Sequence, residues 1–328
     1  MADRSRPWDN AAPPSKNVTI IVKLTALLAL LVFPPGLQAQ PVRVTGTSVS
    51  LAPPDGFTAA SRFPGFERAD LQASIMVTEL PGPVVEVTRG MNAAGLASRG
   101  MTLISSERQQ VDGKSALLLH VSQVVQGTTF LKWMLAAGDA KRTVLVVGTF
   151  PQSAERELGD AIKAALLSTR WNAAAPEHHF EGLPFRVSST PALKIAGRMS
   201  NLLMLSESGT LGPHGPDAAL FLIGLSVAPV TISDLQAFSE ARARQTEQLR
   251  DIRIVRGAAT TIASISGYEL IAEGTDIASG RAVTVYQIVL PDAGGYVLMQ
   301  GLVATPRARL MIPEFRRVAE TYRGAQRR

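Results

Sequence analysis

A chain of 328 residues with 46% hydrophobic side chains is long enough for two ordinary domains and too apolar to be disordered. The absence of cysteine excludes disulfides, thiolate metal sites, iron–sulfur clusters and cysteine nucleophiles, and four histidines leave little imidazole chemistry. The formal charge of +6 is uneven: without residues 1–39 it is +4, and residues 307–328 alone carry +5, seven Arg against Glu314 and Glu320. Basic character therefore belongs to the C-terminal segment, which argues against a nucleic-acid-binding face.

In chain order, the first element is a leader. Lys16 and Lys23 flank and enter an apolar stretch, and the ten residues from Leu24 to Phe33 carry no charge. Pro34, Pro35 and Gly36 then break any helix, and Leu37-Gln38-Ala39 offers a small residue before a cut, so residues 1–39 read as a secretory signal peptide. The competing reading is an uncleaved anchor. Counting back to Val18 gives 16 residues with Lys23 inside, short of the roughly 20 a spanning helix needs. No cysteine follows the apolar run, which excludes a lipid anchor. An extracytoplasmic protein cleaved near Ala39 is expected, and abundant Ala and Arg point to a bacterial source and hence the periplasm.

Past the leader, stretches rich in β-branched and large apolar residues predict strands over 72–80, 102–111, 114–125, 128–137 and 143–150. Asp112-Gly113 is a hairpin turn. Residues 83–97 place Val84, Val87, Met91 and Ala94 on one helical stripe. A second helix is capped by Ser153, with Glu155 and Glu157 in its first turn and Leu158, Ile162 and Leu166 recurring along it. In the second half Ser233-Asp234-Leu235-Gln236 has capping-box spacing and opens a helix to about Leu249. Strands over 282–290 and 296–303 follow, then a helix carrying Phe315, Val318, Ala319 and Tyr322.

The halves repeat. Gly127 and Gly148 are 21 residues apart, as are Gly280 and Gly301, with Trp133 and Tyr286 at matching distances between them. Val111-Asp112-Gly113 in the first half is matched to Ile265-Ser266-Gly267 in the second. Each half reaches a proline, Pro151 or Pro306, before its closing helix. The segment from Asn172 to Glu181 reads as a linker. Domains over 44–172 and 183–324 are expected, joined by 173–182 and followed by a basic tail, 325–328. Antiparallel hairpins plus covering helices make each an α+β unit.

Several landmarks together resemble the Mog1/PsbP-like superfamily: Pro54-Asp55-Gly56-Phe57, Phe63-Pro64-Gly65-Phe66, Ser74-Ile75-Met76-Val77, the Asp112-Gly113 hairpin, Lys132-Trp133, Gly148-Thr149-Phe150-Pro151 and a helix ending Ser168-Thr169-Arg170-Trp171. The resemblance implies tandem domains, each an antiparallel sheet flanked by helices. It also implies an accessory or partner-binding role without catalytic residues. The metal-binding positions of photosynthetic members have no matching motif here, so none is carried over.

Searching the chain for chemistry yields little. His178-His179 with Glu177 and Glu181 is the best metal candidate by residue type, but neighbours on an extended segment point to opposite faces. His120 lies mid-strand, with no acid or nucleophile at a recognisable spacing. His214 sits in a Gly- and Pro-rich loop, and residues 90–95 have Walker A glycine spacing but Leu96-Ala97 where Lys and Ser/Thr are required. Glu269, Glu273 and Asp276 cluster, yet the first two stand about 13 Å apart on a strand, beyond the roughly 5–9.5 Å of glycoside hydrolysis. Trp133, Trp171, Phe57 and Phe66 read as core.

No catalytic residue, cofactor or metal is therefore expected. The sequence reads as an exported, non-enzymatic, partner-binding protein of the cell envelope. The alternative is a periplasmic small-ligand binder or enzyme using the groove between the domains. Arg316, Arg317, Arg323, Arg327 and Arg328 are the candidate contacts to an anionic membrane or partner.

Overall fold

The computed structural model describes residues 40–172, 174, 179–211 and 217–324, so the leader and the tail 325–328 lie outside the described residues. The first half opens with β1 (Val42–Arg43), β2 (Val49–Leu51), β3 (Thr58–Ala59), β4 (Gly65–Arg68) and β5 (Ala73–Pro81). Two short helices follow, α1 (Val84–Arg89) and α2 (Ala93–Ala97). Then come β6 (Met101–Val111), β7 (Lys114–Val125), β8 (Thr128–Gly138), β9 (Arg142–Pro151), α3 (Glu155–Leu167) and β10 (Arg170–Trp171). The second half has β11 (Phe185–Arg186), β12 (Lys194–Met199), β13 (Leu202–Ser206), β14 (Leu220–Leu225) and α4 (Leu235–Arg244). It ends with β15 (Leu249–Ile262), β16 (Ile265–Asp276), β17 (Ala282–Asp292), β18 (Gly295–Ala304), α5 (Ala308–Glu320) and β19 (Arg323–Gly324).

Each half builds a seven-stranded antiparallel sheet, in the orders β3-β4-β5-β9-β8-β7-β6 and β12-β13-β14-β18-β17-β16-β15. Strand for strand the orders are the same. The chain carries one α+β design twice, the architecture that the repeat and the resemblance implied. In each half the strand after the last helix pairs with a strand near that half's start, β10 with β2 and β19 with β11.

Helix α3 packs Leu158, Ile162, Ala165 and Leu166 against Ile75, Trp133 and Val146 of the first sheet. Helix α5 does the same with Met311, Phe315, Val318 and Ala319 over Phe221, Tyr286 and Met299. Each such large apolar side chain contributes about 1.5–3 kcal/mol on burial. Opposite faces are covered more lightly, by Leu96 of α2 over Leu119, Val121 and Met134, and by Ala243 of α4 over Leu270, Ala272 and Val285. Trp133, Trp171, Phe57 and Phe66 are buried in the first core, as expected.

The paired glycines of the repeat have a physical reason. Gly148 stands between Trp133 and Ile75 on neighbouring strands, and Gly301 between Tyr286 and Phe221. A Cβ on Gly148 would overlap Ile162, and one on Gly301 would stand 2.5 Å from Phe315 Cδ2. Ile162 and Phe315 are the residues by which α3 and α5 seat on their sheets. Close helix approach demands glycine in the floor.

Five local expectations are corrected. A strand does open at Ile265, but the turn equivalent to Asp112-Gly113 is Ala263-Ser264, between paired Ile262 and Ile265, so the match of the two halves shifts by three residues there. Strand pairing forces both residues to positive φ (49° and 66°) without a glycine's help. The single helix over 83–97 is two. Asn92 is extended, and its Oδ1 accepts the Gly95 N–H at 3.0 Å, starting a new helix. Ser153 makes no cap, because it lies in a tight 3-10 turn whose Gln152 carbonyl already accepts the Glu155 N–H. Asp234, not Ser233, caps α4 by accepting the Ala237 N–H at 2.9 Å. That helix stops at Arg244, where the Thr246 hydroxyl donates to the Ala243 carbonyl at 2.7 Å and closes the turn before β15 begins at Leu249.

Arg307, at the start of α5, forks onto Glu207 after β13, both bonds 2.8 Å, and Glu207 also accepts the Ala219 N–H at 2.6 Å. The Arg307 guanidinium holds the Glu207 carboxyl below its usual range. A depressed folded pKa contributes stability above the ordinary carboxylate value that is lost as pH falls through the folded value. Arg307→Gln is therefore expected to be less stable than the parent above about pH 5, with the gap narrowing towards pH 3. Melting temperatures measured across that range would check it, and a pH-independent gap would reject it.

Candidate functional site

Between the halves lies a cleft of about 340 Å³. One wall is the loop after β1 and the outer end of β5, where residues 77–81 run past the last pairing with β4. The other wall is β12, an edge strand that bulges at Ala196, together with residues 209–211. Linker residues His179 and Glu181 line the space between them.

The linker is fastened here. Arg43 forms a two-pronged ion pair with Glu181, which raises the Arg43 pKa. Glu79 accepts two bonds from Ser48, from its N–H at 3.0 Å and from its hydroxyl. Both carboxylates on the cleft wall are thus already bonded.

Arg198 differs. Its Nε donates to the Ser200 carbonyl at 2.5 Å and its Nη1 to the Glu181 carbonyl, and among the described residues it forms no ion pair with a carboxylate. Burial pulls its pKa down to about 10, opposed by the fields of Glu181 and Glu79. The guanidinium remains charged at neutral pH. Its position depends on Gly46, whose φ of +78° suits glycine and whose missing Cβ leaves the space that Arg198 Nη1 and the Glu181 carbonyl occupy.

A second cation crosses the halves. Arg62 donates from Nε to the Ser226 carbonyl at 2.6 Å, from Nη2 to the Ser226 hydroxyl at 3.0 Å and from Nη1 to the Ala293 carbonyl at 3.0 Å. Asp292 stands 3.4 Å from the same guanidinium. Pro64, two residues on, lines the cleft.

The candidates read from the sequence are dispersed. Glu177, His178 and His214 fall outside the described residues. His120 is half-buried and stacked on Trp133 at 4.1 Å, and burial lowers its pKa. Glu269 pairs with Arg316, Glu273 with Arg253, and Asp276 accepts from Ser279, so these three acids do not converge. Arg316 bridges Glu269 at 2.5 Å and Glu320 at 3.0 Å. Its place in the repeat, 15 residues after Gly301, matches that of Lys163, 15 after Gly148, whose Nζ lies 4.6 Å from the Trp133 ring centre in the first half. Arg317 pairs with Glu314, and Arg323 donates to the Glu320 and Tyr322 carbonyls. Arg327 and Arg328 lie outside the described residues. Sequence reasoning missed Arg198, Arg62 and Gly46, for which no local motif exists.

Among the described residues no helix is long and apolar enough to cross a membrane. No protein-family model and no curated protein matches the chain. Among solved structures it is similar to PsbP (CyanoP) from Synechocystis, at 17% identity and TM-score 0.30, covering 42% of this chain and 96% of that one. It is also similar to the Tle4–Tli4 complex, at 13% identity and TM-score 0.34, covering 80% and 95%. A third is the immunity protein TplEi of the T6SS from Pseudomonas aeruginosa, complexed with "L" peptide, at 12% identity and TM-score 0.31, covering 83% and 99%. The duplicated architecture itself rests on the strand order of the chain.

Proposed function

We propose that this chain is an exported, non-enzymatic protein of the cell envelope that binds a partner protein in the cleft between its two halves. The observation carrying this reading is the cleft: walls from both halves, one of them a strand at the edge of its sheet, around an arginine that forms no ion pair with a carboxylate among the described residues. Edge strands and cationic cavities suit recognition. Catalysis is disfavoured by the bonding of the acids, since Ser48 occupies both oxygens of Glu79 and Arg43 both oxygens of Glu181. The basic C-terminal segment enters only as a salt-sensitive contact with an anionic surface, through Arg323, Arg327 and Arg328.

A second reading, a small ligand in the same cleft, is favoured by the volume of about 340 Å³, which falls within the roughly 300–1,000 Å³ of ligand pockets. One experiment separates the two. The tagged protein is captured from extracts of its own cells alongside Ala196→Trp, which fills the cleft, and Val255→Asp, which alters the exposed edge of β15. The parent and Val255→Asp are expected to retain one protein that Ala196→Trp loses. Equal capture by all three would remove the cleft from the reading. A co-purifying small molecule in native mass spectra, with no protein, would favour the second.

A further inference from the structure

We propose that the cleft receives an acidic peptide segment of the partner, with an aspartate or glutamate side chain bound to the guanidinium of Arg198. This rests on the reading of the cleft as the partner site and names what that site recognises. Three guanidiniums, of Arg43, Arg142 and Arg198, and two carboxylates, of Glu79 and Glu181, line the cleft. Arg43 is matched to Glu181 by direct bonding, whereas among the described residues Arg198 donates only to main-chain carbonyls and forms no ion pair.

Such an arrangement is uneconomical for folding alone. Desolvating a guanidinium opposes folding unless a counter-charge compensates it, and the lowered pKa of Arg198 records that desolvation. The two carbonyl bonds orient the fork. They engage Nε and Nη1, and no hydrogen bond from Nη2 to a described residue is present. An incoming carboxylate would find a pre-oriented charged donor in a partly dehydrated cleft, where charge-assisted hydrogen bonds are strong.

The local charge also selects the anion. Glu79 and Glu181 both act on Arg198 through their fields, so a phosphate dianion meets more repulsion than a carboxylate does. Apolar surface from Leu80, Pro81 and Leu211 adjoins the polar groups. The volume exceeds what one carboxylate needs, leaving room for flanking apolar side chains. An acidic residue set between apolar ones fits both features.

The test is selection from a pool of randomised octapeptides, amide-capped at the C-terminus, on the immobilised protein, on Arg198→Gln and on Arg198→Lys. A second pool carries free C-termini, and a third carries phosphoserine in place of the acids. The parent is expected to enrich Asp or Glu at one position flanked by apolar residues, and Arg198→Gln is expected to lose that preference. A single charge-assisted bond corresponds to about 10-fold or more in affinity between matched Glu and Gln peptides. Arg198→Lys keeps charge but not the fork and should retain a weaker preference, which keeps the test decisive if Arg198→Gln fails to fold. Absence of acidic enrichment, equal enrichment on Arg198→Gln, or enrichment following only the free C-terminus or phosphoserine would overturn the assignment. If Ala196→Trp loses the captured partner while Arg198→Gln keeps it, the cleft reading stands and the carboxylate proposal fails.

Discussion

Gly301→Ala is expected to destabilise the second half by about 3 kcal/mol, the upper part of the range for overpacking a core. A Cβ there stands 2.5 Å from Cδ2 of Phe315 and 2.7 Å from two further ring atoms. The ring cannot retreat sideways, because Phe221 and Tyr286 stack against it at 5.3 and 6.0 Å. Nor can it retreat upward without lifting α5, whose Met311, Val318 and Ala319 share the same core. Against this, alanine gains only about 0.5–1 kcal/mol over glycine through the unfolded chain. Gly301→Val should exceed what the half can tolerate. The clash names its own rescue: Phe315→Leu in the Gly301→Ala background should be less destabilised than the two single changes added together. Urea unfolding of the four proteins in that cycle measures the coupling. Additive losses, or a Gly301→Ala protein as stable as the parent, would show that the glycine is not the seat of the helix. Gly148→Ala with Ile162→Ala, which removes the Cγ2 that the new methyl would overlap, is the same experiment in the first half.

Those glycines were legible in the sequence because close helix approach leaves no residue choice, so the spacing of 21 survives in both copies. Strands β8 and β17 were legible for a related reason, as their middles are buried on both faces and mainly apolar. Local signals failed where a non-local partner decides. The Ala263-Ser264 turn follows from the pairing of β15 with β16, which overrides the preference for glycine. Gln287 and Gln300 look like surface residues yet are buried beneath α4. There the Gln300 amide donates to Gln287 Oε1 at 3.1 Å and the Gln287 amide to the Ser239 carbonyl at 2.8 Å. The candidate site was almost illegible. Arg198 becomes noteworthy only when Gly46, some 150 residues earlier, and the Glu181 carbonyl are brought beside it. Likewise Arg316 reads as free charge until Glu269, on a strand 47 residues earlier, appears opposite it.

Arg62→Ala is expected to uncouple the halves, lowering stability by about 2–5 kcal/mol as for truncation of one partner in a buried hydrogen-bonded charge cluster. The side chain is 17% exposed and reaches from the first half into the β14 exit and the β17–β18 turn of the second. Its socket is specific. The Ser226 hydroxyl accepts from both Arg62 Nη2 and the Tyr296 N–H, and Gly295 leaves the room that a Cβ would take from Arg62 and Ser226. Removing the guanidinium strands the Ser226 and Ala293 carbonyls and leaves Asp292 without this cation, with nothing inside either core disturbed. The loss should therefore appear between the halves rather than within them. The parent should melt in one calorimetric transition and Arg62→Ala in two, the cores keeping their near-ultraviolet signals until each melts. Arg62→Lys, which keeps the charge but cannot fork onto Ser226 and Ala293 together, should fall between them. Because Pro64 lines the cleft two residues on, partner capture should fall in Arg62→Ala although no cleft residue has changed. A single transition at the parent's temperature would mean that other contacts hold the cleft, and that Arg62 only fills a socket already formed.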